Sequence, residues 1–131
     1  PISLLSALKH IAKGGLELHF LENPDPIEWK EALAKLDPAT TLVVCVTKSG
    51  TTFETLAQYL LALEWLGFDR WKTHTVAITD PAKGDLRQFA TEHEIRTLAI
   101  HPSIGGRFSI FSPVGTFPGF LAGLDMRAFL Q

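Results

Sequence analysis

The chain predicts an α/β fold: a parallel β-sheet with helices on both faces. Two observations carry this. Thr41–Val46 and Thr75–Thr79 are short, β-branched and unalternating, as strands buried on both faces of a parallel sheet are. Helical stretches separate them from each other and from a third strand, Arg96–Ile100, and strands alternating with helices require crossover connections. At 131 residues, with 46% hydrophobic and 20% charged residues, the chain has ordinary globular composition and the length of a single domain, taken as 1–131.

In chain order, Ile2–Ile11 reads as a helix, with Ile2, Leu5, Leu8 and Ile11 three apart and Gly14-Gly15 as its stop. Leu16–Leu21 alternates, with Leu16, Leu18 and Phe20 opposite Glu17 and His19, which predicts a half-exposed edge strand. Asn23-Pro24-Asp25-Pro26 is a turn, and Pro26 suits the opening of a helix over Ile27–Leu36 that Asp37-Pro38 ends. After Thr41–Val46 comes a polar loop, Thr47–Thr52, and a long helix, Phe53–Leu66, ended by Gly67. Thr75–Thr79 leads through the Asp80-Pro81 turn to a helix over Gly84–His93, and Arg96–Ile100 closes the alternation. Phe108–Leu124 carries no charge, but Ser109, Ser112, Pro113, Gly115, Pro118 and Gly119 interrupt it. A bilayer span takes about 20 predominantly apolar residues, so the stretch reads as a buried connector followed by a helix. The non-methionine start at Pro1 and the apolar end, Met126–Leu130, are read as marks of a fragment of a longer chain.

Charge excludes several functions. Twelve Lys+Arg against fourteen Asp+Glu give a net charge of −2, with no basic face for nucleic acid or for polybasic membrane attachment. A lone cysteine, Cys45, forms no internal disulfide and, mid-strand, reads as an inert core thiol; the expected compartment is the reducing cytoplasm. The five histidines show no metal-ligand spacing and one cysteine cannot build a Cys-rich zinc site, so no metal is expected. His101 ends a predicted strand and reads first as a solvated or hydrogen-bonded side chain. Trp29, Trp65 and Trp71 read as packing.

Two loops hold the candidate chemistry. Thr47-Lys48-Ser49-Gly50-Thr51-Thr52 puts four hydroxyls, an ammonium and a glycine between a buried strand and a long helix. Ligands of open α/β sheets bind outside the carboxyl ends of the strands, where the next helix also points its free N–H groups and positive dipole end. That combination suits a phosphate. A plain helix cap is the competing reading and is compatible with it: Thr51-x-x-Glu54 has the form of a capping box. Gly105-Gly106-Arg107-Phe108-Ser109 follows the last strand and is therefore expected at the same sheet edge. Its glycines permit a tight bend or a close approach, and Arg107 offers a permanent forked cation. By pattern alone, a glycine turn beside a surface arginine is the commoner meaning of such a sequence.

Together the loops resemble the phosphoglucose isomerase family. Thr47-Lys-Ser-Gly-Thr-Thr-Phe-Glu-Thr55 is similar to that family's Ser-Lys-Ser/Thr-x-Thr-Thr-x-Glu-Thr loop. Ile104-Gly-Gly-Arg-Phe-Ser-Ile-Phe-Ser-Pro-Val-Gly115 is similar to its Gly-Gly-Arg-Phe/Tyr-Ser signature in bacterial style, and order and spacing agree over nearly the whole chain. Thr47 stands where serine is usual, and Pro102 where an acidic or small polar residue is common. The resemblance implies a doubly wound, flavodoxin-like sugar isomerase domain, lacking its first strand. It implies interconversion of glucose 6-phosphate and fructose 6-phosphate through a cis-enediol, without cofactor, in a chain that is a homodimer at full length. Thr47, Ser49 and Thr52, with Lys48 and Thr51 beside them, would hold the sugar phosphate. Gly105 and Gly106 would lie near the substrate, and Arg107 would stabilise the enediolate oxygen. The family's base glutamate, ring-opening histidine and C-terminal lysine would lie beyond Gln131, and its Gly-Ile-Gly-Gly-Ser loop before Pro1. The alternative within the wider fold is a sugar-phosphate-binding module of a regulator or an aminosugar-phosphate enzyme. Those relatives typically carry the Ser/Thr loop without Gly-Gly-Arg-Phe-Ser.

Overall fold

A computed structural model of the chain describes residues 14–131. The helix expected over Ile2–Ile11 lies outside the described residues. The described residues pack as two compact units, one of residues 21–99 and one formed by residues 14–20 with 100–131.

In the first of these, α1 (Pro26–Leu33) is capped by Asp25, whose carboxylate accepts from Ile27 N at 2.8 Å, and Pro26 fills its first turn. The helix ends three residues before the expected Leu36, because Asp37 already organises a turn by accepting from Ala39 N at 2.9 Å. β1 (Val43–Val46), β2 (Thr75–Thr79) and β3 (Arg96–Ala99) form a parallel sheet in the order β1-β2-β3. Cys45 pairs with Ala77 and Ala77 with Thr97. Between the strands run α2 (Phe53–Leu66), a 3-10 turn (Phe68–Arg70), α3 (Trp71–His74) and α4 (Asp85–Glu92).

The expected class, a parallel α/β sheet flanked by helices, is what the chain forms. The three strands follow one another across the sheet in sequence order, so the order reversal of a doubly wound sheet is not among them. β2 is buried along its whole length, as a central strand should be. β1 has only Cys45 fully buried, because among the described residues it has a neighbour on one side alone.

The core of this unit sits on the Cys45–Ala77 face, where both crossover helices pack: Tyr59 and Leu63 from α2, Leu86 and Ala90 from α4. Trp29 anchors α1 through a hydrogen bond from its Nε1 to Gln58 Oε1 at 3.2 Å. Trp71 Nε1 donates to Leu63 O at 3.0 Å, and its ring packs on His93 with centroids 5.3 Å apart. Gly67 ends α2 at φ +86°, a conformation that side chains resist, and its N–H satisfies Leu63 O.

Cys45 behaves as expected of a core thiol: burial pushes its pKa up to about 12. Since the thiolate is the reactive form, the native chain should resist iodoacetamide at pH 8 and react promptly in denaturant. Equal rates in the two conditions would mean that the strand opens freely.

The second unit begins, in its described part, with Gly14–Phe20. The expected edge strand over Leu16–Leu21 does not form. Leu16 N donates to Leu121 O at 2.8 Å, but no ladder continues from it. A Cβ on Gly15 would lie 2.4 Å from the Ala122 carbonyl carbon, so the segment is laid against the end of a helix and not along a strand.

That helix is α5 (Pro113–Leu121), preceded by a 3-10 helix (Gly106–Phe111) and followed by α6 (Met126–Leu130). Ser112 caps α5, and Pro113 occupies its first turn. The connector is less buried than expected: Phe108 and Phe111 are 73% and 65% exposed. The 3-10 turn spends its buried positions on hydroxyls instead, with Ser109 Oγ donating to Gly106 O at 2.7 Å and Ser112 buried at the cap.

Candidate functional site

The Thr47–Thr52 loop leaves the carboxyl end of β1 and enters α2. Thr47 N donates to Ile78 O at 3.1 Å, extending the β1–β2 ladder by one bond, and buries the Thr47 side chain. The hydroxyls then pair in two sets. Thr47 Oγ1 and Thr52 Oγ1 lie 3.1 Å apart, while Ser49 Oγ accepts from Thr51 N at 3.2 Å and from Thr51 Oγ1 at 3.1 Å. Gly50, at φ +71°, makes the turn between Ser49 and Thr51. Ser49, Thr51 and Thr52 are exposed.

The expected capping box does not form. Thr52, not Thr51, is the N-cap of α2, and no side chain bonds the helix amides. The Thr52 hydroxyl turns to Thr47 and the Thr51 hydroxyl to Ser49. Neighbouring hydroxyls have thus outcompeted the helix end for both threonines, which leaves the positive end of a 14-residue helix without a side-chain cap.

The loop after β2 completes the surroundings, although no sequence motif singled it out. Asp80 N donates to Lys48 O at 3.2 Å, and Leu86 N to Gly50 O at 2.9 Å. Asp80 Oδ1 accepts from Ala82 N at 2.9 Å and Lys83 N at 3.2 Å; these amides hold its carboxyl below the usual range. This bracing persists above the ordinary carboxylate pKa and is lost as pH falls through the lowered value. The signal was available, since Asp-Pro and Lys-Gly follow a buried strand at the ligand-binding edge of the sheet. A cleft lined by Thr51, Lys83, Gly84, Asp85, Arg87 and Gln88 opens beside the loop.

The Gly105–Ser109 motif belongs to the other compact unit. Gly105 is the N-cap of the 3-10 helix in an extended conformation, φ −65° and ψ 146°. Neither it nor Gly106 has positive φ, and a Cβ on Gly106 would meet nothing within 4 Å. The tight bend offered as one reason for these glycines is therefore not what the backbone uses them for. Arg107 is exposed on the first turn. His101 is hydrogen-bonded as expected, its Nδ1 2.6 Å from Ser103 Oγ. Among the described residues no group of His, Cys, Asp and Glu is arranged to hold a metal ion. No helix among them is long and apolar enough to cross a membrane.

Comparison with known proteins decides what these loops belong to. The family model for phosphoglucose isomerase matches residues 1–130. The chain belongs to the phosphoglucose isomerase family. It is 44% identical to a glucose-6-phosphate isomerase of Rubrobacter xylanophilus over 99% of this chain and 32% of that protein. A Thermus thermophilus glucose-6-phosphate isomerase is 43% identical over 91% of the chain and 30% of its own length. Among solved structures, a hypothetical protein of Thermus thermophilus superposes with a TM-score of 0.91 at 42% identity, covering 99% of this chain and 31% of that one. A glucose-6-phosphate isomerase of Chlamydia trachomatis gives 0.72 at 30% identity, covering 91% and 23%. The chain thus spans about a third of the length of these curated relatives.

Proposed function

We propose that this chain is the sugar-phosphate-binding part of a glucose-6-phosphate isomerase, acting as one sugar isomerase domain. The observation that carries the reading is the hydroxyl cluster at the uncapped start of α2. Thr47, Ser49 and Thr52 receive the phosphate, with Lys48 and Thr51 beside them. The helix amides and dipole supply the positive potential that a dianion needs. Arg107 stabilises the enediolate, and Gly105 and Gly106 keep the approach to it open; the empty space around a Cβ on Gly106 favours that role. No metal or organic cofactor takes part. The working protein is a cytoplasmic homodimer in this reading, and the rest of an isomerase chain supplies the base and the ring-opening groups.

The test is a titration of the chain with glucose 6-phosphate and with inorganic phosphate, in parallel with a Thr47→Val/Ser49→Ala/Thr52→Val variant. Deleting three anion-facing hydroxyls should weaken binding of both ligands by about 10²-fold, taking roughly 1 kcal/mol for each lost hydrogen bond. Equal affinity of variant and parent for both ligands would place the phosphate elsewhere.

A further inference from the structure

We propose that Gly84 is a positioning residue for the phosphate loop: its missing side chain lets the turn after β2 seat directly against the backbone of Ser49 and Gly50. This rests on the phosphate-loop reading above. A Cβ on Gly84 would lie 2.3 Å from the Ser49 carbonyl oxygen and 2.9 Å from Gly50 Cα, distances that real Cβ atoms do not adopt. The obstacle is backbone, which cannot swing aside as a side-chain end could. The approach is reciprocal. A Cβ on Gly50 would lie 3.1 Å from both Gly84 Cα and Thr79 Oγ1.

The two glycines are therefore stacked backbone on backbone, and the bonds Asp80 N to Lys48 O and Leu86 N to Gly50 O close the joint on either side. The turn that presses on the loop is itself stiff. Asp80 Oδ1 holds Ala82 N and Lys83 N, and Arg87 Nε donates to Asp80 O at 3.0 Å. A side chain at position 84 would drive Ser49 and Gly50 outward. The Ser49 hydroxyl would then leave its place beside Thr51, although Gly84 itself supplies no side-chain atom to a ligand.

Gly67 provides the control. It adopts nearly the same backbone conformation, φ +86° and ψ 141° against φ +99° and ψ 152° for Gly84. Alanine at either site carries similar conformational strain. At Gly67, however, a Cβ meets only side-chain atoms, Asp69 Oδ1 at 3.1 Å and Arg70 Nη1 at 3.4 Å.

The experiment compares Gly84→Ala and Gly67→Ala in the intact isomerase containing this chain. Both should lower Tm. Gly84→Ala alone should raise KM for fructose 6-phosphate by about tenfold or more, with the inhibition constant of inorganic phosphate rising by the same factor and kcat changing far less. Values of KM and of the phosphate constant matching those of Gly67→Ala would overturn the proposal. Should Gly84→Ala fail to fold, Gly50→Ala, with the milder overlap, should show the same paired rise, and normal phosphate inhibition in it would overturn the proposal instead. A Thr47→Val/Ser49→Ala variant separates the two readings. If it leaves both constants unchanged, the phosphate-loop reading falls and takes this inference with it; if it raises both while Gly84→Ala does not, this inference alone falls.

Discussion

Arg107→Ala in the intact isomerase is expected to lower kcat by about 10²–10³-fold, the loss that follows removal of one preorganised charge stabiliser. An enediolate places negative charge on an oxygen that is neutral in the substrate, so a fixed cation there favours the transition state over the ground state. Arg107 suits the task. It is exposed on a short 3-10 turn, and no ion pair among the described residues occupies it. Arginine is a permanent cation in proteins and accepts no proton. KM should change much less, because in the proposed function the phosphate is held by other residues. Steady-state kinetics settle the matter: near-normal kcat with a raised KM would make Arg107 a ground-state binder and not a stabiliser of the transition state.

The 131 residues by themselves should show no isomerase turnover. Moving a proton between neighbouring carbons needs a group that takes it and gives it back. Arg107 cannot, for the reason just given. Glu54 is the carboxylate nearest the Thr47–Thr52 loop in sequence. It lies in the first turn of α2 without a capping partner to hold it. A phosphate seated at that helix end would repel its charge and hinder its approach to the sugar carbons. Asp80 is tied to the amides of Ala82 and Lys83, and the imidazole of His101 is engaged by Ser103. The check is glucose 6-phosphate with the purified chain, fructose 6-phosphate being measured against a blank. Turnover that vanishes in an Arg107→Ala chain would show that a base lies within these residues.

The sheet was legible in the sequence because burial writes itself into composition. Thr75–Thr79 is β-branched and uncharged since both its faces and both its edges are covered, and it forms with the bounds its composition suggests. The long helix was equally plain, with Phe53–Leu66 running unbroken to a glycine that its geometry requires. Leu16–Leu21 misled because alternation reports which side chains face inward, while a strand also needs a neighbouring strand in register. Thr51 misled for a related reason. A capping motif records that a hydroxyl can reach the helix end, and cannot show that a closer hydroxyl claims it first. Gly84 escaped notice because its significance depends on Gly50, far earlier in the chain, and no local pattern encodes that meeting.

The Gly50–Gly84 joint also bears on how this part of the molecule can change over evolutionary time. Paired positions usually drift together, one side chain growing as its neighbour shrinks. In this chain both partners are the smallest residue, and a Cβ at Gly84 would meet the backbone of Ser49 and Gly50, so growth at position 84 requires the loop itself to move. While position 84 keeps its glycine the backbone path of the loop is held, and under the proposed function variation in what it recognises falls to the side chains of Thr47, Ser49, Thr51 and Thr52 on the loop and Lys83 beside it. A lineage acquiring a different phosphorylated ligand would find its freedom there, with the frame beneath it left as it was.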